Sequence, residues 1–333
     1  MSDQNNLLLS VPTHVITGFL GAGKSSIILQ LLKNKPNDQR WAVLVNEFGE
    51  IGVDGSLFAG QHKTSQGVFI REVPGGCMCC TAGVPMQVAL NQLLREAKPD
   101  RLFIEPTGLG HPKEVLQTLS EQHFSQVLSL QKTVTLVDAR KLLDQRYTEH
   151  AIFNQQIAIA DIVVGTKADL YQTSEQQRLI DYVDLTGQAS TEVLFASHGN
   201  ISLSQLQGTS ANTVLSDHHH SHHSQKQTPN TTDIPACGFI KAVNSGEGFT
   251  SIGWRFSDTV VFHFEQVVSF LSKLKVERVK AVLTTDKGLF GFNLSEGELT
   301  TTSLAHHQQS RIEIINQSLN DTLETQLMDC IIQ

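Results

Sequence analysis

The stretch "THVITGFLGAGKS", residues 13–25, decides the fold. "THVIT" (13–17) is a β-branched run that reads as a strand, and residues 24–35 read as a helix. Between them "GFLGAGKS", Gly18 to Ser25, fits G-x-x-x-x-G-K-[ST] and sits where that motif must sit, after a strand and before a helix. Glycines there let backbone N–H groups turn inward around phosphate oxygens, and the helix N-terminus adds its positive end. Gly18, Gly21, Ala22, Gly23, Lys24, Ser25 and Ser26 form the expected cradle. Lys24 should reach the β- and γ-phosphates, and the Ser25 hydroxyl should ligate Mg²⁺.

Outward from this loop, "WAVLVN" (41–46), "GVFIREV" (67–73), "RLFIE" (101–105), "TVTLVD" (133–138), "DIVVG" (161–165) and "EVLFA" (192–196) read as strands. Stretches of helical length lie at 85–97, 112–122 and 174–186. Near-continuous apolar strands alternating with helices imply an α/β fold: a mostly parallel sheet with helices on both faces. The pattern stops after Ser197. Residues 208–233 are polar and aperiodic and read as a flexible His-rich linker. Strands near 251–256, 279–285 and 289–294, with helices near 264–275 and 317–331, imply a smaller α+β domain. The expected division is therefore 1–207, 208–233 and 234–333.

Composition narrows the function. The chain has 333 residues, 40% of them hydrophobic, and a net charge of −8 with no basic block. That argues against a nucleic-acid groove. No apolar run has the length of a membrane span, and the N-terminus lacks the basic region of a signal peptide. A cytoplasmic, reducing location follows, where clustered thiols serve metals or redox chemistry rather than structural disulfides. Three of the five cysteines, Cys77, Cys79 and Cys80, stand in "GGCMCC" (75–80). Cys237 and Cys330 are isolated and read as small buried hydrophobes.

The base is read from "GTKADL" (165–170), at the end of "DIVVG". An [NT]-K-x-D at a strand end is a guanine reader. Asp169 can accept two hydrogen bonds from the guanine N1–H and amine, a donor pair that adenine lacks. Lys167 packs its stem over the base, and Thr166 replaces the usual Asn with a hydroxyl. "FASHG" (195–199) offers backbone contacts through Ala196 and Ser197, with His198 a loop residue. "NEFGEIGVDG" (46–55) and "EPTGLGHP" (105–112) lie where switch loops belong. Gly108 can sense the γ-phosphate through its N–H, and Glu105 can act through Mg²⁺-bound water or orient the attacking water. His111 stands at the start of the helix that Pro112 opens.

Taken in order, "GFLGAGKS", "NEFGE", "GGCMCC", "EPTG" and "TKAD" resemble the CobW-type metallochaperone GTPases, relatives of the UreG and HypB nickel-insertion GTPases. The resemblance covers nearly the whole chain, including a CobW-type C-terminal domain. The strings "AVLVNEFGEIGVDG", "PGGCMCC" and "IEPTGLGHPKEVL" look nearest to the YeiR-like zinc-binding branch. The resemblance implies a P-loop fold of the SIMIBI type and GTP hydrolysis coupled to zinc binding and delivery to a client metalloprotein. It also implies that Cys79 and Glu50 are ligand positions. The chain departs from some relatives at Val45, where they carry a further glutamate ligand.

Thiolates are soft donors suited to Zn²⁺ or Cu(I). Two thiolates from Cys77, Cys79 and Cys80 with Glu50 or a histidine form the expected zinc site, open enough for transfer. A regulatory disulfide and unreactive loop thiols are the other readings. "DHHHSHH" (217–223) places His218, His219, His220, His222 and His223 in the polar linker as a weak accessory store of metal. Exposed thiols and imidazoles would also allow a metal-induced homo-oligomer. Two rivals remain: a zinc storage or sensing protein that uses GTP as a conformational ligand, and an ATP-using metal-insertion enzyme.

Overall fold

The computed structural model describes residues 10–45, 67–73, 84–211, 234–235, 238–246, 248–295, 297–305, 309–320 and 322–332. They fall into two compact units, divided between Ala211 and Ile234.

The first unit holds β1 (Val11–Gly18), β2 (Trp41–Val45), β3 (Val68–Glu72), β4 (Arg101–Glu105), β5 (Leu128–Leu130), β6 (Val134–Val137), β7 (Ile162–Thr166) and β8 (Glu192–Ala196). Their order is β3-β2-β4-β1-β6-β7-β8, with β5 also beside β1. Every pairing is parallel. The helices are α1 (Lys24–Lys33), α2 (Val84–Ala97), α3 (Pro112–Ser120), α4 (Ala151–Ala158) and α5 (Glu175–Thr186), with short helical turns between some of them.

The strand chemistry explains the layers. Val11, Val15, Ala42, Leu44, Leu102 and Ile104 face one core with Leu90 and Leu93 of α2 and Leu116 and Leu119 of α3. Side chains alternate along a strand, so Trp41, Val43 and Phe103 point the other way. They too are buried, and the sheet is covered on both faces. Winding runs outward from β1 to β3 on one side and from β6 to β8 on the other. The C-terminal ends beside β1 thus form the crevice in which such sheets bind ligands.

The second unit is an antiparallel sheet of β9 (Phe239–Gly246), β10 (Phe249–Phe256), β11 (Arg278–Thr285), β12 (Gly288–Ser295), β13 (Glu298–Ser303) and β14 (Arg311–Asn316). The order is β13-β12-β11-β14-β10-β9. Its core joins Trp254, Phe256, Phe292, Ile312 and Ile314 to Val267 and Leu271 of α6 (Phe264–Lys273) and Leu323 and Leu327 of α7 (Leu323–Met328). Cys330 is buried there, and burial raises its thiol pKa to about 11.

The structure revises several boundaries. The helix expected at 317–331 is α7 alone, and β5, β9, β13, β14 and α4 had no sequence counterpart. Residues 208–211, read as the start of the linker, are instead held by the first unit. Lys132 N–H donates to Gly208 O at 2.8 Å, and the Asp161 carboxylate accepts from Ser210 Oγ at 2.7 Å and Ala211 N–H at 2.9 Å.

Candidate functional site

The loop between β1 and α1 is shaped by glycine where the chain allows no side chain. Gly18 has φ 145°, and a Cβ there would lie 2.6 Å from Leu136 O of β6. Gly23 caps α1 at φ 91°, with no side-chain cap and no acidic residue in the first helical turn. A helix start with neither favours an anion there. Lys24 is 5% exposed, an expensive location for an ammonium unless it is hydrogen-bonded. Its Nζ donates to Gly18 O at 2.8 Å and Phe19 O at 3.3 Å, so the loop's own carbonyls cradle it.

The end of β4 brings the second half of the site. β1 and β4 are adjacent and parallel, so their C-terminal ends open on the same side. Ser25 Oγ donates to Glu105 Oε1 at 2.8 Å, joining the loop to a carboxylate that is 2% exposed. A hydroxyl beside a carboxylate is a hard-oxygen donor set, which fits Mg²⁺. Gly108 follows closely: a Cβ there would come within 3.1 Å of both Lys24 Nζ and Leu20 N. Its carbonyl accepts from Gln156 Nε2 of α4 at 3.1 Å. His111 caps α3 without a side-chain bond to it; its Nδ1 lies 3.0 Å from Gln155 Oε1.

The third component lies past β7. Thr166 ends the strand with its hydroxyl buried and without a hydrogen-bond partner among the described residues. Lys167 is left-handed at φ 56° and opens a one-turn 3₁₀ helix that carries Asp169. Asp169 Oδ1 accepts His198 N–H at 3.0 Å, and the His198 ring lies 3.5 Å from the same carboxylate. His198 is thus a loop residue, as expected, and it also ties the "FASHG" turn to Asp169. Ser197 beside it is exposed, as is Ser26 on α1.

Sequence reasoning missed Asp138. It follows β6 almost fully buried and pairs with Lys167 Nζ at 3.3 Å and Arg140 Nη2 at 2.6 Å. Ala139 N–H donates to Tyr171 Oη at 3.0 Å, so the ends of β6 and β7 are bound together. Burial raises the Tyr171 phenol pKa, which keeps it neutral. An apolar strand ending in a lone Asp was the available signal. Phe19 was also missed: its ring packs edge-on against Tyr147, His150 and Phe153, which anchors the loop to the α4 region.

Lys24, Ser25, Glu105 and Gly108 are thus assembled in one place, and Lys167 and Asp169 follow β7, with Lys167 paired to Asp138 past β6. Glu50, Cys77, Cys79, Cys80, His218, His219, His220, His222 and His223 lie outside the described residues. Among the described residues no cluster of three His, Cys, Asp or Glu side chains is placed to hold a metal.

A buried P-loop lysine, its neighbouring hydroxyl and a carboxylate at the next strand's end define a P-loop nucleotide-binding domain of the parallel α/β class. The chain belongs to the CobW/HypB/UreG family, whose nucleotide-binding domain model matches residues 12–192. It is similar to the zinc chaperone YeiR of Escherichia coli (strain K12), with 39% identity over 314 residues, 93% of this chain and 94% of that one. The zinc chaperone YjiA of the same organism is 33% identical over 201 residues, 59% of this chain and 60% of that one. Among solved structures, Zn(II)-bound YjiA GTPase matches 96% of this chain and 99% of its own at 21% identity, with a TM-score of 0.45. No described helix is long and apolar enough to cross a membrane.

Proposed function

We propose that this protein is a cytoplasmic GTP hydrolase that couples GTP turnover to zinc binding and to zinc transfer to a client metalloprotein. The observation that carries the nucleotide half is the Ser25–Glu105 hydrogen bond across the ends of β1 and β4, with Lys24 buried beside it. Lys24 Nζ exchanges the carbonyls of Gly18 and Phe19 for β- and γ-phosphate oxygens. The N–H groups of Gly21, Ala22, Gly23, Ser25 and Ser26 surround those oxygens at the start of α1. Ser25 and Glu105 are the residues that would hold Mg²⁺, which neutralises developing phosphate charge when bound. Glu105 orients the attacking water, and Gly108 donates its N–H to the γ-phosphate.

Base selection belongs to Asp169, with the Lys167 stem against the ring. Thr166 and Ser197 flank it. The Asp138 carboxylate steers Lys167. Zinc is cargo in this reading, held by Cys77, Cys79, Cys80 and Glu50, with the His218–His223 run gathering metal more weakly. Similarity to proteins described as zinc chaperones supports this half. Residues 1–207 then form the GTPase domain, and 234–333 the domain that supplies the client surface.

The deciding test is reciprocal. Zinc affinity is measured against a chromophoric chelator with and without a non-hydrolysable GTP analogue, and GTP turnover is followed with and without zinc. Coupling requires that each ligand change the other's affinity by the same factor. Cys79→Ser should abolish that change while leaving GTP binding intact. Zinc affinity that ignores the nucleotide would leave only a metal site sharing a chain with a GTPase. Zinc and nucleotide coupling without turnover would favour a storage or sensing protein.

A further inference from the structure

The geometry points to Gln156 as a positioning residue that sets the γ-phosphate-sensing turn at Gly108. The inference rests on the reading of Gly108 given above.

Gln156 lies in α4 and is 1% exposed. Its backbone is fixed, because its carbonyl accepts from Thr135 Oγ1 of β6 at 2.6 Å. Its side chain reaches the loop after β4, where Nε2 donates to Gly108 O at 3.1 Å. That bond fixes which way the amide faces, since a carbonyl accepts only from the NH₂ end. The other end, Oε1, is buried without a hydrogen-bond partner among the described residues. An apolar side chain of the same length, such as methionine, would bury no such acceptor. A packing role alone therefore does not account for the amide. The bond to Gly108 does.

The position held is a demanding one. Gly108 lies so near Lys24 Nζ and Leu20 N that a Cβ would meet both at 3.1 Å. Gln155, the preceding residue of the same helix, contacts His111 at the far end of the turn. Phe153, two residues earlier still, packs on Phe19 of the phosphate loop. α4 thus touches the phosphate loop with one side chain and the sensing turn with two. Gln156 is the one bonded to the backbone whose N–H is to meet the γ-phosphate. With that carbonyl held, the Gly108 N–H is aimed before the ligand arrives, and the ordering cost on binding is reduced. GDP has no γ-phosphate and gains nothing from this arrangement.

The test compares Gln156→Met and Gln156→Glu with the wild type in the full-length chain. Calorimetry gives affinities for GDP and for a non-hydrolysable GTP analogue, and phosphate release gives kcat. Met removes the donor at constant length, and Glu replaces it with an acceptor of the same shape. Both variants should keep GDP affinity within about twofold, the tolerance for independent sites. Both should lose roughly 3- to 10-fold in analogue affinity, the factor carried by one neutral hydrogen bond, with kcat falling as well. Wild-type discrimination retained in both variants overturns the proposal alone. An equal loss of GDP and analogue affinity also overturns it, because Gln156 would then merely support the fold. A wild-type chain that binds GDP and the analogue equally overturns the proposal together with the reading of Gly108.

Discussion

The two sheets bury charged side chains in different places, and the difference shows where chemistry can be housed. In the first unit, Lys24, Glu105 and Asp138 are buried at or just past the C-terminal ends of β1, β4 and β6. In the second, Lys280 and Glu313 are buried in mid-strand. Glu313 stands opposite Lys280 on one side and Gly253 on the other. A parallel sheet covered on both faces has little room for charge along its strands and moves it to the ends, where loops meet. An antiparallel sheet with one apolar face can carry charge along the other. Arg255 even stands directly opposite Arg311, and its pKa is lowered by burial first and then by that neighbour's charge.

The chain's two tryptophans allow the comparison to be tested, because Trp41 lies in one core and Trp254 in the other, both buried. Trp254→Phe leaves a fluorescence probe of the first unit, and Trp41→Phe one of the second. The largest expected effect is on stability. Phe292→Ala removes a fully buried ring from the second core and should cost about 3–5 kcal/mol in the transition read by Trp254. GDP affinity, measured under native conditions, should stay unchanged. A matching loss of GDP affinity would break the assignment of binding to the strand ends of the first unit.

Next comes Lys24→Ala. Removing the ammonium from the phosphate loop should lower turnover by about 10²–10³-fold, as for other preorganised charge stabilisers. Phosphate release at saturating GTP measures it. Turnover near wild type would move catalysis away from this loop.

Much of this contrast was legible in the sequence. "THVITGFLGAGKS" fixed β1, the loop and α1 because each part constrains the next: strand, glycine turn, helix. "RLFIE" and "TKAD" were equally readable, since an apolar run that ends in a charged residue marks a strand end. Asp138 also ends an apolar run, but its pairing with Lys167 arises only where β6 and β7 lie side by side. Gln156 escaped because α4 has no sequence counterpart, so nothing marked an amide inside "AIFNQQIA". Its bonds to β6 and to the Gly108 turn appear only in the folded unit. In the second unit, β9 and β13 alternate residues of weak apolar character, and pairing rather than composition defines them.

A smaller effect is expected at the base. Asp169 accepts His198 N–H at 3.0 Å, and guanine would add charged-acceptor bonds of its own. Asp169→Ala should cost about 1.5–3 kcal/mol of GTP affinity and leave ATP affinity unchanged. Competition calorimetry with both nucleotides reads it. Equal affinities for GTP and ATP in the wild type would end the guanine assignment.

The smallest effect per step concerns His14, an ionisable group of the first unit that lies within a strand rather than at its end. It sits within β1, fully buried, stacked on Phe103 at 5.3 Å and accepting from Arg101 Nη1 at 2.6 Å. Burial first, and then the Arg101 charge, lower its pKa to about 3. The folded chain therefore keeps His14 neutral at a pH where an unfolded histidine, with a pKa near 6.5, takes up a proton. Below about pH 6.5 the unfolded state binds more protons, so stability falls as pH falls, by about 1.4 kcal/mol per unit until the folded-state pKa is reached. The Trp41 transition should show this slope between pH 6 and pH 5 in urea denaturation. His14→Gln keeps an acceptor for Arg101 but cannot be protonated, so it should remove that share of the slope. In the Trp254 transition the same substitution should change nothing. If the slope survives His14→Gln, other groups set the acid sensitivity of the first unit. If both transitions shift together, the two cores do not unfold as separate units, and the contrast between the two sheets holds for architecture but not for energetics.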